Sequence, residues 1–360
     1  MKSYTLPSHS FSLKLCDTND DNIIVNQPLY DKLANHKSKI DSVRNRWDSA
    51  KKISNDYEYI YTSSNSRKNI SRILPVSRSF FKLREIIYDY RVHVSGTCAC
   101  IAEAPGGFIQ SILQHTKEQN LTLEAIHGIT LISDDKYIPY WNPQLLQNPL
   151  LHICQGADKT GDLYKLSNVI SFIKQCGKGA CSLVTADGGF DYTQDFEQEL
   201  ASYLLIYSEI MIALNIQKIQ GTFVCKLFDL FYPRTLQLLF ILYLSYESVT
   251  FIKPCTSRQS NSEKYIVCRG FRGYNKQLSN LLCNSFGQTQ LPIQIPSEFI
   301  SMINTYQTQF INHQCMRIDS TLRLITHKRV TEKPSKQQIK LAKEWCKTYH
   351  IPINYECIYI

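Results

Sequence analysis

The chain has 360 residues, of which 43% are hydrophobic, so it can bury the core of one large domain or two ordinary ones and is not a disordered protein. Its formal net charge of +9 favours a polyanionic partner such as nucleic acid. The thirteen cysteines are an odd number spread along the chain, which favours a reducing compartment over a secreted disulfide framework. The close pairs Cys98/Cys100 and Cys176/Cys181 lack a second pair at zinc-ligand spacing, so free thiols are predicted and no metal site.

The N-terminal residues lack the uninterrupted apolar stretch of a signal peptide. The most apolar segment, Thr235 to Tyr246, is too short to cross a bilayer and is predicted as a buried helix. We therefore expect a cytoplasmic protein without a membrane partner.

Residues 1–66 are polar and rich in Asn, Asp, Ser and Lys, with one helical pattern from about Leu29 to Lys52. This part is predicted to be an extension without a core of its own. From Val76 to Tyr90 the apolar residues follow the spacing of an amphipathic helix.

An alternating pattern follows, which predicts an α/β fold with a mostly parallel sheet and helices on both faces. The strand-like runs lie near 97–103, 124–131, 181–186, 220–226, 247–252 and 264–269, and the helical patterns near 105–116, 164–175, 195–217 and 234–245. The turn-rich connection from Lys253 to Ser262 predicts that the last two strands form an antiparallel hairpin at the sheet edge.

Beyond Gly270 the alternation stops, and residues 271–360 are predicted as a basic, mainly helical extension to a central domain at 67–270. A lysine stripe occupies one face of its last helical pattern, with apolar residues on the other. The stripe consists of Lys336, Lys340, Lys343 and Lys347, and the opposite face of Ile339, Ala342, Trp345 and Cys346. A solvated face and an RNA-tracking surface both remain open for this stripe.

Four ionisable residues stand at the edges of apolar runs: Lys82, Asp187, Lys226 and Glu263. Taken singly, a lysine at a strand end is usually solvated and Asp-Gly-Gly is usually a turn. In parallel sheets, however, the carboxyl ends of the strands meet at one edge, where ligands bind. The order Lys, Asp, Lys, Glu therefore predicts one pocket that could deprotonate a weakly acidic hydroxyl group.

Between the first and second of these residues lies the segment Glu103-Ala104-Pro105-Gly106-Gly107-Phe108, which follows a predicted strand and opens a predicted helix. Paired glycines let a ligand approach the backbone closely, and the helix N-terminus favours a carboxylate. The loop lacks the G-x-G-x-x-G spacing of a dinucleotide site.

Five ordered motifs resemble those of the FtsJ-type RNA ribose 2'-O-methyltransferases over roughly residues 76–270. Within that family, the part from Lys226 to Cys268 is most similar to the cap-specific enzymes of eukaryotes and large DNA viruses. They read SRSFFKL from Ser77, EAPGGF from Glu103, ADGGF from Ala186, FVCKLFD from Phe223 and KPCTSRQSNSEKY from Lys253. The resemblance implies a Rossmann-like methyltransferase fold with a seven-stranded sheet. It also implies S-adenosylmethionine as cofactor and methylation of the first transcribed nucleotide of capped mRNA.

The same resemblance assigns roles to individual residues. Lys226 would be the base, oriented and tuned by Lys82, Asp187 and Glu263. The cofactor would lie on residues 103–108 and close to Asp187, with its adenine side at Asp162, which could equally cap the following helix. RNA contacts are implied at Arg78, Ser257, Arg258 and Asn261. No acidic residue ends the second predicted strand at Gly128-Ile129-Thr130, so the contact with the cofactor ribose stays open.

A lysine can act as a base only if its ammonium group loses its proton near neutral pH. Because burial and a second cation both disfavour the charged form, we expect Lys82 to lower the pKa of Lys226. Two other functions remain open, namely a ribosomal or transfer RNA ribose methyltransferase and a catalytically silent RNA-binding subunit. The resemblance also leaves room for other mRNA-capping or transcription proteins as partners and for a nuclear, virion or virus-factory location.

Overall fold

The computed structural model describes residues 3–16, 23–189, 198–327 and 333–360. Its strands are β1 (Ser3–Thr5), β2 (Gly96–Ile101), β3 (Leu123–Ile129), β4 (Leu151–Cys154), β5 (Cys181–Ala186), β6 (Gln217–Leu227), β7 (Tyr246–Ile252) and β8 (Lys264–Phe271). Its α-helices are α1 (Gln27–Asp41), α2 (Arg44–Ile53), α3 (Ser79–Tyr90), α4 (Gly107–Glu118), α5 (Pro143–Leu146), α6 (Leu166–Cys176), α7 (Gln198–Ile216), α8 (Pro233–Ser245), α9 (Lys276–Asn284), α10 (Ser297–Thr326) and α11 (Lys336–Thr348).

One sheet runs through the molecule in the order β1-β7-β8-β6-β5-β2-β3-β4. The strands from β6 to β4 are mutually parallel, whereas β8 is antiparallel to both β6 and β7. This confirms the α/β fold and the antiparallel hairpin. The sheet has eight strands and not seven, because β1 from the N-terminal extension pairs antiparallel with β7 and covers the expected edge.

Successive residues of the central strands point to two separate cores, as the period of two in a strand requires. On β6, Phe223 and Cys225 join the core beneath α6, α7 and α8, while Val224 between them joins the core beneath α3 and α4. Helices therefore cover both faces of the sheet, as predicted. Helix α7 is long and apolar enough to cross a membrane by composition alone, but 83% of its most apolar stretch is buried in the protein, as in a core helix.

The N-terminal extension contributes side chains to hydrophobic clusters that it shares with the rest of the chain. The single helix predicted from Leu29 to Lys52 is divided into α1 and α2 at Ser42 and Val43. Leu29 and Leu33 of α1 belong to the main core, and Trp47 of α2 packs with Ile318 of α10 in a smaller cluster.

The C-terminal extension is helical, as predicted, and α11 has the expected two faces. Trp345 and Cys346 are buried, whereas Lys336, Lys340 and Lys347 are exposed. Residues from all three parts of the chain pack together, so the structure does not separate them at residues 66 and 270. The division at these residues stays a prediction.

Candidate active site

Four elements bring the predicted charged residues to one edge of the sheet. Lys82 lies in the first turn of α3, Asp187 directly follows β5, Lys226 is the penultimate residue of β6, and Glu263 directly precedes β8. Because β5 and β6 are parallel and β8 is antiparallel to β6, the ends of β5 and β6 meet the beginning of β8.

The four side chains form two ion pairs. The Nζ atom of Lys82 lies 2.8 Å from Oε2 of Glu263, and the Nζ atom of Lys226 lies 3.2 Å from Oδ1 of Asp187. Lys226 also donates a hydrogen bond of 2.8 Å to the backbone oxygen of Asp187. The exposed fractions of these side chains are only 11–14%, so the pairs are partly removed from water.

The charge state of Lys226 differs from the one expected from the sequence. Burial alone would lower its pKa, but the negative charges of Asp187 and Glu263 outweigh burial and raise it. The expectation of a lowered pKa was therefore wrong, because it counted Lys82 and burial but not the charges of Asp187 and Glu263. In this arrangement Lys226 holds its proton.

Glu263 is held as a carboxylate. Burial alone would raise its pKa, but Lys82, Lys226 and Lys253 together lower it well below its usual range. The hydroxyl of Ser257 donates a 2.6 Å hydrogen bond to its Oε1 atom. Lys253, to which the sequence analysis assigned no role, donates to the backbone oxygen of Glu263 and to the side-chain oxygen of Asn261. Burial lowers the pKa of Lys253 to about 7.

Glu209 of α7 is a second residue that the sequence analysis missed. Only 1% of it is exposed, and a Cβ atom on Gly188 would lie 2.4 Å from its Oε1 atom, so the carboxyl group lies directly beneath the Asp187-Gly188-Gly189 turn. Its Oε1 atom has no hydrogen-bond partner among the described residues, and Cys225 donates to Oε2 at 3.5 Å. Burial raises the pKa of Glu209 to about 8. A second acidic residue in the middle of the mostly apolar helix α7, beyond Glu199 in its first turn, was the available signal.

The loop expected to hold the cofactor connects β2 with α4. Glu103 is buried, and its carboxyl group accepts hydrogen bonds from the backbone N–H of Ile109 and the hydroxyl of Thr185. It therefore supports the loop from below. A Cβ on Gly107 would lie 2.1 Å from Oγ of Ser79, so only glycine lets the start of α4 pack against the start of α3, where Lys82 lies.

The other residues of this loop are buried or half-buried around Gly107. Gly106 has a positive φ of 107°, and Gly106 and Phe108 are buried while Ala104 and Pro105 are half-buried. The loop thus ends at the N-terminus of a twelve-residue helix, a position that favours a carboxylate.

Asp162 lies in the loop between β4 and α6. Its Oδ1 atom accepts a 2.9 Å hydrogen bond from the N–H of Tyr164, and Lys165 occupies the N-cap position of α6, so the helix-capping alternative was wrong. A Cβ on the neighbouring Gly161 would lie 1.9 Å from the backbone oxygen of Thr130, which places this loop against the end of β3. Asp162 thus lies near the same edge of the sheet as Asp187.

Both arginines predicted to contact RNA are paired with one buried carboxylate. Glu58, only 1% exposed, lies 3.2 Å from Nη1 of Arg78 and accepts two hydrogen bonds from Arg258, at 2.9 and 3.2 Å. Ser257 is buried and directed at Glu263. The arginines keep about a quarter of their side chains exposed, at 27% and 25%, so they retain a face toward solvent.

A cavity of about 600 Å³ opens over the two catalytic candidates Lys226 and Glu263. Its other walls come from α1 and α2, from the loop between β7 and β8, and from α10. A Cβ on Gly189 in its lining would lie 2.9 Å from the Nζ atom of Lys226, so glycine leaves room around that nitrogen. Within the described ranges, no group of three His, Cys, Asp or Glu side chains could hold a metal ion.

The fold and this edge site define an α/β protein of the methyltransferase class, with a paired Lys-Asp-Lys-Glu set beside a glycine loop. The FtsJ-like methyltransferase model matches residues 75–271, more than half of the chain. The chain belongs to the FtsJ-like methyltransferase family.

Curated relatives match about half of the chain. A cap-specific mRNA (nucleoside-2'-O-)-methyltransferase 1 from Trypanosoma brucei brucei is 38% identical over 179 residues, 49% of this chain and 47% of that protein. The protein of the same name from Bos taurus is 32% identical over 188 residues, 48% of this chain and 21% of that protein. The chain thus spans half or less of the length of these relatives.

Among solved structures, a protein described as a candidate ribosomal RNA methyltransferase from Plasmodium falciparum is 24% identical to this chain. The match covers 55% of this chain and 99% of that one, with a TM-score of 0.41.

Proposed function

We propose that this chain transfers a methyl group from S-adenosylmethionine to a ribose 2'-hydroxyl of RNA. The observation that carries the proposal is the convergence of Lys82, Asp187, Lys226 and Glu263 at the sheet edge, with the Nζ atom of Lys226 beside a cavity. When bound, S-adenosylmethionine supplies a methyl group activated by a sulfonium cation.

The residues of the edge fit this cofactor by their chemistry. Ala104, Pro105, Gly106, Gly107 and Phe108 would hold its methionine part, with the N-terminus of α4 facing its carboxylate. The carboxylate of Asp187 lies where a sulfonium or ammonium group would be favoured, with the carboxyl group of Glu209 beneath the same turn. Asp162 would face the adenine side.

Lys226 would act as the base toward the ribose hydroxyl. Asp187 holds the proton of Lys226 in the arrangement described above, so any cation brought beside Asp187 weakens that hold and lowers the pKa of the lysine. Lys82 and Glu263 would keep the lysine oriented, because Glu263 is itself fixed by Lys82, Ser257 and the backbone contact of Lys253.

The first prediction concerns this base. Lys226→Ala should abolish methyl transfer, by at least about 100-fold as is typical for the loss of a general base, while the melting temperature and S-adenosylmethionine binding stay close to those of the wild type. Transfer of tritiated methyl groups to RNA measures the first quantity and calorimetry the second. Lys340→Ala, on the exposed face of α11, is the matched control. Undiminished turnover of folded Lys226→Ala protein would remove Lys226 from the base role.

We further propose that the substrate is the first transcribed nucleotide of capped mRNA, so that cap 0 becomes cap 1. The names of the curated relatives support this substrate. Capped RNA should be methylated faster than the same RNA without a cap. Equal rates on both would favour a ribosomal or transfer RNA substrate instead. Other capping or transcription proteins as partners, and a cytoplasmic location, stay predictions.

A further inference from the structure

Helix α2 forms one wall of the active-site cavity, although it lies outside the region that matches the family model. The cavity lining contains Arg44, Asp48 and Lys51 of α2 together with Lys226 and Glu263. Residues four and three positions apart in a helix share one face, so the three α2 side chains form a single row directed into the cavity. We call these three residues the α2 wall.

The α2 wall is positively charged overall, and its two cations form ion pairs that a phosphate could replace, Arg44 with Asp41 of α1 and Lys51 with Asp48. Arg44 pairs with Asp41 at 2.7 Å, but the side chains are 55% and 60% exposed. Lys51 pairs with Asp48, and their side chains are 27% and 76% exposed. Exposed pairs of this kind add little stability, because water competes for both partners. A phosphate group could therefore displace either carboxylate.

The position of the row suggests what it binds. Arg44 and Lys51 are seven residues apart and thus about 10 Å apart along the helix axis, which presents two cations in line beside the base Lys226. A linear polyanion that places one ribose at Lys226 would carry its neighbouring phosphates along such a row. The lysine stripe of α11, by contrast, supplies no residue to this cavity.

We propose that the α2 wall binds backbone phosphates of single-stranded RNA next to the nucleotide whose ribose lies at Lys226. This inference rests on the proposed function, since it takes RNA as the substrate. It assigns the substrate path to the N-terminal extension and not to the lysine stripe.

The test uses the full chain and a fluorescent capped RNA of roughly ten nucleotides, a length typical for a single-strand site. Binding is measured by anisotropy at several salt concentrations and without a methyl donor. The R44Q/K51Q variant should raise the Kd for RNA about tenfold, since hydrogen bonds to charged groups are lost. The slope of log K against log salt should fall by about 1.4, because each contact with a single strand contributes about 0.7.

Two further variants separate this role from a general structural effect. D48N removes the carboxylate that competes for Lys51 and should lower the Kd about threefold, a gain that mere structural damage does not produce. K336Q/K340Q removes the same charge from the exposed face of α11 and should leave the Kd unchanged. Melting temperatures and S-adenosylmethionine binding should match the wild type in all three.

Two results would overturn the assignment of the α2 wall alone: wild-type affinity in R44Q/K51Q, or a larger loss in K336Q/K340Q. A wild-type chain that binds no RNA would overturn it together with the proposed function. Suppose that Lys226→Ala protein still transfers methyl groups, while RNA affinity depends on the α2 wall as expected. That result would contradict only the role of Lys226 as the base.

Discussion

At the scale of single residues, the charges of the site are controlled by neighbours that are distant in the sequence. Glu209 illustrates this most clearly, because it is buried beneath Gly188 with one oxygen atom that lacks a hydrogen-bond partner among the described residues. Burial outweighs the hydrogen bond from Cys225 and the nearby charge of Lys226, so Glu209 favours its protonated form. The folded chain therefore keeps the Glu209 proton to a higher pH than the unfolded chain does.

This difference predicts a pH-dependent stability. The pKa of Glu209 is raised from 4.5 to about 8, so its contribution to the free energy of unfolding is fully present below pH 4.5 and is lost as the pH rises through 8. Glu209→Gln, which is isosteric and neutral, should remove this loss. Between pH 4.5 and 8 the wild type should lose up to about 5 kcal/mol relative to the variant, at about 1.4 kcal/mol per pKa unit.

Urea unfolding at a series of pH values measures this difference. Glu344→Gln, on exposed α11, serves as the control and should show no such trend. If the stability of Glu209→Gln and of the wild type depended on pH in the same way, Glu209 would be ionised in the folded state.

At the scale of elements, the segment around Glu58 and the loop between β7 and β8 depend on each other. Glu58 binds Arg258 in that loop and Arg78 just before α3, and Asn55 donates a 2.8 Å hydrogen bond to the same carboxylate. The loop is also held by Glu85 of α3, which accepts a 2.7 Å hydrogen bond from the N–H of Cys255. The loop ends at Glu263, so these contacts position a catalytic candidate.

Removing the charge of Glu58 should loosen this arrangement. Glu58→Gln leaves two partly buried arginines without their counter-charge and should lower the free energy of unfolding by about 2 kcal/mol, less than for a fully buried pair because both arginines keep contact with water. We also expect a lower kcat with unchanged S-adenosylmethionine affinity. Denaturant unfolding and steady-state kinetics measure both.

Asp56→Asn is the matched control, since Asp56 is 49% exposed and pairs with Arg317 of α10 and not with the loop. Its stability should stay within about 0.5 kcal/mol of the wild type. If Glu58→Gln had the same stability and kcat as the control, the loop would hold its geometry without Glu58.

At the scale of the whole molecule, the two extensions complete the core of the methyltransferase part. Phe251 of β7 stacks on Tyr306 of α10 with ring centroids 4.4 Å apart, and Phe240 of α8 packs against Phe299 at 5.1 Å. Leu33 of α1 belongs to the same core. The central part alone would expose these apolar surfaces to water.

A fragment comprising residues 67–270 should therefore fail to fold stably, although it contains all four charged residues of the site. We expect aggregation or a non-cooperative thermal transition, because the apolar area covered by α1 and α10 would be hydrated. Circular dichroism and size-exclusion chromatography of the fragment and the full chain check this. A monomeric fragment that melts cooperatively near the temperature of the full chain would show that the extensions are independent additions.

Local sequence patterns predicted an element correctly where it was long and its apolar residues recurred with a clear period. They predicted a site residue correctly where its motif followed a predicted strand. The strands from β5 to β8 and the helices α4, α6 and α8 were predicted within a few residues, as was the edge position of Lys82, Asp187, Lys226 and Glu263. The predicted start of α7 at 195–197, and Phe190 of the ADGGF motif, lie outside the described residues. The short strands β1 and β4, with three and four residues, carry too little pattern to be distinguished from loops.

The sequence by itself determined the α/β fold, the family and the set of charged residues at the sheet edge, because strand and helix periods and ordered motifs are local properties of the chain. Only the tertiary structure decided how those charges pair, that Lys226 keeps its proton, that Glu58, Glu209 and Lys253 take part, and that α2 forms a wall of the cavity. These features depend on distances between residues far apart in the sequence and on the loss of water around them, neither of which a local pattern encodes.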